Sequence, residues 1–359
     1  MFWHRAWGKC CLAVLVSGLL VLCVVPGPTV AWNGRSATSS RVAQTIVPKD
    51  FAPPFTFVRV FSSADDVRPG HTVLDRTLDI IAGPADPEAR MEAMRSPSAV
   101  TTDSTHRIFV ADPGAQSVHI FDFVRSKYDR LDRRGGHLHV PVSLAADSQD
   151  NLYVVDQTSR TVLVYDSTGK FRHYLGKLRG GESYFGNPTG IAIDKAERRI
   201  YVCDRQGHMI YVMDERGKLI RKLGNRGGGN RPGEFRFPTK IVVADSELFV
   251  LDAGNSRIQV FDSGGHFLRA INLGYVDRQT GLAAVNRGKI YVSDSSLNQI
   301  QVLGHDGQRL YTFDLSTVKG VNFSHPTAMW VDANHSLYVV DSQKNSVGLF
   351  QINGMNALQ

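Results

Sequence analysis

The stretch NPTGIAIDKAERRIYVCDRQGHMIYVMDERGKLIRKLG, Asn187–Gly224, decides the fold. It carries four short runs of β-branched, aromatic and aliphatic residues, separated by the polar turns KAER, RQGH and ERGK. Runs of that length bounded by charged residues, Asp and Gly read as strands joined by tight turns. The stretch is therefore predicted to be one four-stranded antiparallel unit. Working outward, the same pattern recurs in SPSAVTTDSTHRIFVADPGAQSVHIFD from Ser96, VPVSLAADSQDNLYVVDQTSRTVLVYDSTGKF from Val140 and FPTKIVVADSELFVLDAGNSRIQVFDSGGHF from Phe237. A weaker copy, QTGLAAVNRGKIYVSDSSLNQIQVLGHDGQRL, starts at Gln279, and HPTAMWVDANHSLYVVDSQKNSVGLFQINGM starts at His325. The aspartates that end the second strands fall at Asp112, Asp156, Asp204, Asp252, Asp294 and Asp341, spaced by 44, 48, 48, 42 and 47 residues. A period of that size means repeated β-units around an axis, not a doubly wound sheet.

Five units have four strands, but the last has three, because only NGMNALQ follows VGLFQI. At the other end FTFVRVF, Phe55–Phe61, is a strand without a unit. Joining the two completes the sixth blade and removes two open edges. The expected fold is all-β: a six-bladed β-propeller over residues 55–352, closed by 55–61, with 353–359 as a C-terminal tail.

The composition, 42% hydrophobic and 21% charged in 359 residues, is that of a globular chain. The N-terminus differs. His4, Arg5 and Lys9 precede an apolar run from Cys11 to Val25, and PGPTVAW supplies small residues at Thr29 and Ala31. This is the layout of a secretory signal over residues 1–31, with 32–54 as linker. The expected location is periplasmic or extracellular; because the apolar run is short for a stable span, an N-terminal membrane anchor is the alternative. Cleavage leaves Cys203 as the one cysteine and takes Arg5 and Lys9, two of the seven net positive charges, leaving +5. No intrachain disulfide or cysteine zinc cluster is then possible. The chain is expected to be a monomer.

NPTGIAIDKAERRIYVCDRQGHMIYVMDERGKLIRKLG and GEFRFPTKIVVADSELFVLDAGNSRIQVFDSGGHFLRAI resemble NHL repeats, and six copies in phase span about Met94–Gln351. The resemblance implies an NHL-repeat six-bladed β-propeller, in particular one similar to exported bacterial NHL propellers. Those carry a helical excursion after the first strand, and HTVLDRTLDIIAG, residues 71–83, has Val73, Leu74, Leu78 and Ile81 on one helical face. The fifth unit departs from the pattern, with Thr280 where Pro is usual and Asn286 where the first-strand Asp is usual.

The glycine-rich GNRGGGNRPGEF, Gly224–Phe235, is superficially a phosphate cradle. It lacks the Gly-Lys-Ser/Thr of a nucleotide loop and precedes a strand rather than a helix. Its phase in the repeat makes it the connector between blades three and four.

A propeller does not by itself specify function. The connectors between blades and the turns between second and third strands share one face, here called the top. Arg134, Lys177, Arg179, Arg226, Arg231, Lys240, Arg278 and Lys319 fall there, a positive rim suited to an acidic protein partner or anionic ligand. Nucleic acid is not expected in an exported chain, despite the basic rim. The repeated aspartates are expected to accept hydrogen bonds from their own turns. No complete catalytic set is legible, so a non-enzymatic interaction platform without a cofactor is the primary expectation. The alternative is a zinc-dependent lyase: the resemblance extends to peptidyl-hydroxyglycine lyases, which hold zinc with histidines near inner-strand starts. His139 and His325 occupy such places, with His208 as a third candidate. A catalytic zinc needs about three protein ligands.

Overall fold

In the computed structural model, which describes residues 55–67, 92–131, 137–178, 180–274, 280–285 and 288–353, Asn187–Gly224 forms the strands Pro188–Asp194, Arg199–Asp204, Met209–Asp214 and Leu219–Gly224. They hydrogen-bond in that order as one antiparallel sheet. Six such four-stranded sheets are present. In five the order follows the chain; in the sixth it is Phe55–Phe61, Ser346–Ile352, Ser336–Asp341, Pro326–Val331. The N-terminal strand is thus the outer strand of blade six, as the missing-strand count requires. Among the described residues the helical elements are the single 3-10 turns Ala64–Asp66, Ala253–Asn255 and Leu315–Thr317. None is long and apolar enough to cross a membrane. Residues 1–31, 32–54, 71–83 and 354–359 lie outside the described set, and so do the leader, linker and helical stretch expected there.

Side-chain alternation along each strand builds the ring. In the second strand of blade three, Ile200 and Val202 pack toward blade two, whereas Tyr201 and Cys203 pack toward blade four. Repeating this gives six apolar clusters, one between each pair of neighbouring blades, including one between six and one. Cys203 is fully buried, and burial pushes its thiol well above the usual value, so it packs as a small apolar side chain.

The repeated aspartates clamp each blade. Asp204 accepts from the backbone N–H of Gly207 in its own turn at 2.9 Å, and also from Gly186 and Asn187 in the incoming connector at 2.6 and 2.8 Å. Asp112, Asp156 and Asp341 do the same. Asp294 of blade five accepts from Ser296 and Leu297 in its own turn. Thr280 stands in place of the Pro there, and the N–H of Gly281 bonds to Ser293 Oγ instead. The expectation of turn-capping aspartates was right but incomplete: the carboxylates also tie connectors to blades.

Acid should therefore loosen the ring. Burial pushes the Asp112 carboxyl up, but hydrogen bonds from buried His119 and from the Arg95 N–H outweigh it and hold the pKa below 3.8. Glu247 is held low chiefly by its hydrogen bonds with Arg269. A depressed carboxylate contributes stability above its unfolded pKa, near 4, that is lost as pH falls through the folded value. Melting temperature is expected to be flat from pH 6 to about 5 and to fall steadily toward pH 3. A melting temperature that rises on acidification would contradict this.

Candidate functional site

The inner strands of blades two, three, four and six start at the top with a Pro, and Pro cannot donate to the ladder. In these blades the pairing shifts by one residue just after it, between Pro141 and Ser143, Pro188 and Gly190, Pro238 and Lys240, and Pro326 and Ala328. Such a bulge re-aims a side chain. The bulged residues are Val142, Thr189, Thr239 and Thr327, and all four line a cavity of about 550 Å³ at the axial mouth. Ser96, Ser98, Ser342 and Gln157 add polar groups, and Arg205 and Lys240 add the only charges among the described residues of its lining. The carboxylates nearby in sequence, Asp112, Asp156, Asp204 and Asp341, are buried and committed to backbone N–H groups.

Below the mouth lies a smaller space of about 90 Å³, lined mostly by apolar residues such as Ile191, Val242, Leu282 and Ala328, with Ser143 and Lys195 among them. Lys240 lines both spaces and so stands at the threshold between them. It is half-buried, and that burial lowers the ammonium from 10.5 to about 8. No described carboxylate pairs with it.

Of the other predicted rim residues, Lys177, Arg226, Arg231 and Lys319 are exposed on top-face connectors, with the Lys177 ammonium 3.7 Å from the Tyr174 ring centroid. Arg134, Arg179 and Arg278 lie outside the described residues. The histidines stay apart in role. His139 is exposed, His325 half-buried, and His208 Nδ1 accepts from the Phe237 N–H at 3.1 Å. Among the described residues no group of three or more His, Cys, Asp or Glu is placed to hold a metal ion.

The glycine-rich connector has the polarity opposite to that of a phosphate cradle. Its carbonyls converge on a cation: Arg257 donates to the oxygens of Asn230, Arg231 and Glu234, and Asn255 to that of Gly229. Gly224 begins it with φ +95°, where a Cβ would lie 2.5 Å from the His208 carbonyl oxygen.

Two residues of this region escaped the sequence reading. Phe237, the residue before Pro238, is 42% exposed and has φ +52°. A phenylalanine in the left-handed region costs about 1–2 kcal/mol. The conformation is held by the bond to His208, whose ring centroid lies 4.6 Å from that of Phe237. The Arg205 guanidinium sits 5.7 Å from the Phe237 ring centroid, linking this aromatic to the axial mouth. The only sequence signal was a break in pattern, Arg and Phe where other blades have smaller or neutral residues such as Gln157 and Asn187.

Comparison with known proteins places this geometry. Protein brain tumor of Drosophila melanogaster is 32% identical over 133 residues, 34% of this chain, and the match spans 12% of that protein's length. Among solved structures, a streptogramin B lyase superimposes with a TM-score of 0.52 at 12% identity, covering 72% of this chain and 94% of that one. Virginiamycin B lyase from Staphylococcus aureus gives 0.52 at 10%, covering 72% and 95%. Kuenenia stuttgartiensis hydrazine synthase gives 0.51 at 12%, covering 72% and 96%. At these identities the structural likeness is one of fold alone. A family profile described as 6-bladed beta-propeller matches residues 99–210 and 191–291, more than half of the chain. With six blades of matching topology, the chain belongs to this 6-bladed beta-propeller family.

Proposed function

We propose that the chain is an exported propeller of the NHL-repeat type that serves as an interaction platform, binding an acidic protein segment on its top face. The observation that carries this reading is Phe237, a strained, exposed aromatic beside Arg205 and on the same connector as exposed Arg226, Arg231 and Arg236. Strain in an exposed large apolar residue marks a place where packing alone did not choose the residue. An aromatic flanked by arginines is the composition of binding hot spots. The surrounding charges add steering and salt dependence more than affinity.

The test is affinity capture from the native envelope at low and physiological salt, comparing the wild type with Phe237→Ala and with an Arg226→Glu/Arg231→Glu double variant. Loss of a hot-spot aromatic should weaken capture by about 30-fold, equivalent to about 2 kcal/mol. Exposed charge pairs contribute about 0–1 kcal/mol each, so the double reversal should act mainly at low salt, before screening over about 8 Å removes the contacts. Capture of a partner that is indifferent to all three residues and to salt would move the interface away from the top face. A mature N-terminus at Trp32, read from protein recovered outside the cytoplasm, is the matching expectation for export.

A further inference from the structure

The geometry points to a second site on the axis: a pocket for a small-molecule oxyanion, a carboxylate or phosphate, held at the top of the channel by Lys240 with Arg205. The mouth holds about 550 Å³, within the range of about 300–1,000 Å³ usual for small-molecule pockets. Among the described residues its lining contains two cations and no acid. The aspartates that could neutralise them are turned into the blades, where connector N–H groups bind them. Neither cation has a carboxylate partner among the described residues. The described lining therefore gives the mouth a positive field, which low-dielectric walls strengthen.

Unpaired hydroxyls lie buried in the wall of the mouth. Thr239 and Thr327 are each 8% exposed, and their hydroxyls have no described hydrogen-bond partner. Both belong to the set of bulged residues that lines the mouth. The space beneath is smaller, about 90 Å³, and mostly apolar, so a charged ligand would rest in the mouth against Lys240. Only the protonated amine attracts an anion, and burial has lowered its pKa to about 8. Affinity should hence fall as pH rises through that value, and binding near pH 8 should take up protons, because a bound anion favours the charged amine.

The site goes beyond the docking reading, since it needs no protein partner. The experiment is isothermal titration calorimetry on the mature chain with inorganic phosphate, citrate and glucose 6-phosphate, with glucose as the neutral control. At least one anion is expected to bind in the millimolar range or tighter at pH 6.5 and glucose not at all; which anions bind separates phosphate from carboxylate recognition. Lys240→Met should weaken binding by at least about tenfold, as loss of a charge-assisted hydrogen bond does, and Lys240→Arg should retain most of it. Raising the pH of the wild type to 9.5 should reproduce the loss without a mutation. Absence of binding for all three anions at 10 mM, or binding unchanged in Lys240→Met and at pH 9.5, would overturn the assignment. Phe237→Ala should leave these titrations within about threefold while weakening protein capture, so the two readings can fail separately.

Discussion

A chain from which residues 32–62 have been removed is expected to lose its cooperative fold or to associate through the exposed edge of blade six. Phe55–Phe61 does more than supply an outer strand. Phe55, 3% exposed, packs its ring 5.9 Å from Tyr291 and 4.9 Å from Phe313, both in blade five. Phe61, 1% exposed, lies 4.9 Å from Phe121 and 5.4 Å from Phe123 in blade one. One strand therefore joins three blades. Losing a single buried Phe typically costs about 3–5 kcal/mol, so losing both approaches the whole stability of a domain, about 5–15 kcal/mol. The strand Ser346–Ile352 would also present unpaired N–H and C=O groups to other molecules. Thermal melting by circular dichroism and size-exclusion chromatography with light scattering measure both effects. A truncated chain that stays monomeric and melts at the wild-type temperature would show that the ring does not depend on this closure.

The closure was legible in the sequence because it rests on counting: five complete units, one short by a strand, and one spare strand 35 residues ahead of the first unit's Ser96. Strand identity was equally plain, since β-branched runs, the repeated aspartates and polar turns all carry the same period. The top face was legible as topology but not as a surface. Lys240 reads from sequence as one rim cation among eight; only the bulge after Pro238 and the smaller space beneath the mouth make it the residue at the axial threshold. Phe237 reads as an ordinary pre-proline residue, for which an extended backbone is the expectation. Its left-handed conformation depends on His208, 29 residues earlier, and no local signal encodes that contact. The glycine-rich connector was assigned by phase alone. What holds it is Arg257, whose role as a clamp could not be distinguished in sequence from that of any exposed arginine.

That clamp leads to the second large expected effect. Asp252 is fully buried and accepts hydrogen bonds from the Arg236 N–H at 2.6 Å, Asn255 Nδ2 at 2.8 Å, Arg257 Nε at 2.8 Å and Gln259 Nε2 at 3.1 Å. Asp252→Ala would leave these donors unsatisfied and strand the Arg257 guanidinium, 14% exposed, without its counter-ion. Removing one partner of a buried ion pair costs about 3–5 kcal/mol. Asp294→Ala in blade five removes the bonds to Ser296 and Leu297 of a partly exposed turn, for about 1 kcal/mol. Urea unfolding of the two variants should separate them by at least about 2 kcal/mol. Equal losses would mean that the aspartates act only as turn formers and that the connector is held by other contacts. The asymmetry also has a functional side. Asp252 and Arg257 fix the connector that carries Arg226, Arg231 and Phe237, so Asp252→Ala should weaken partner capture although it touches none of those side chains. Asp294→Ala, with its turn in blade five, should leave capture unchanged.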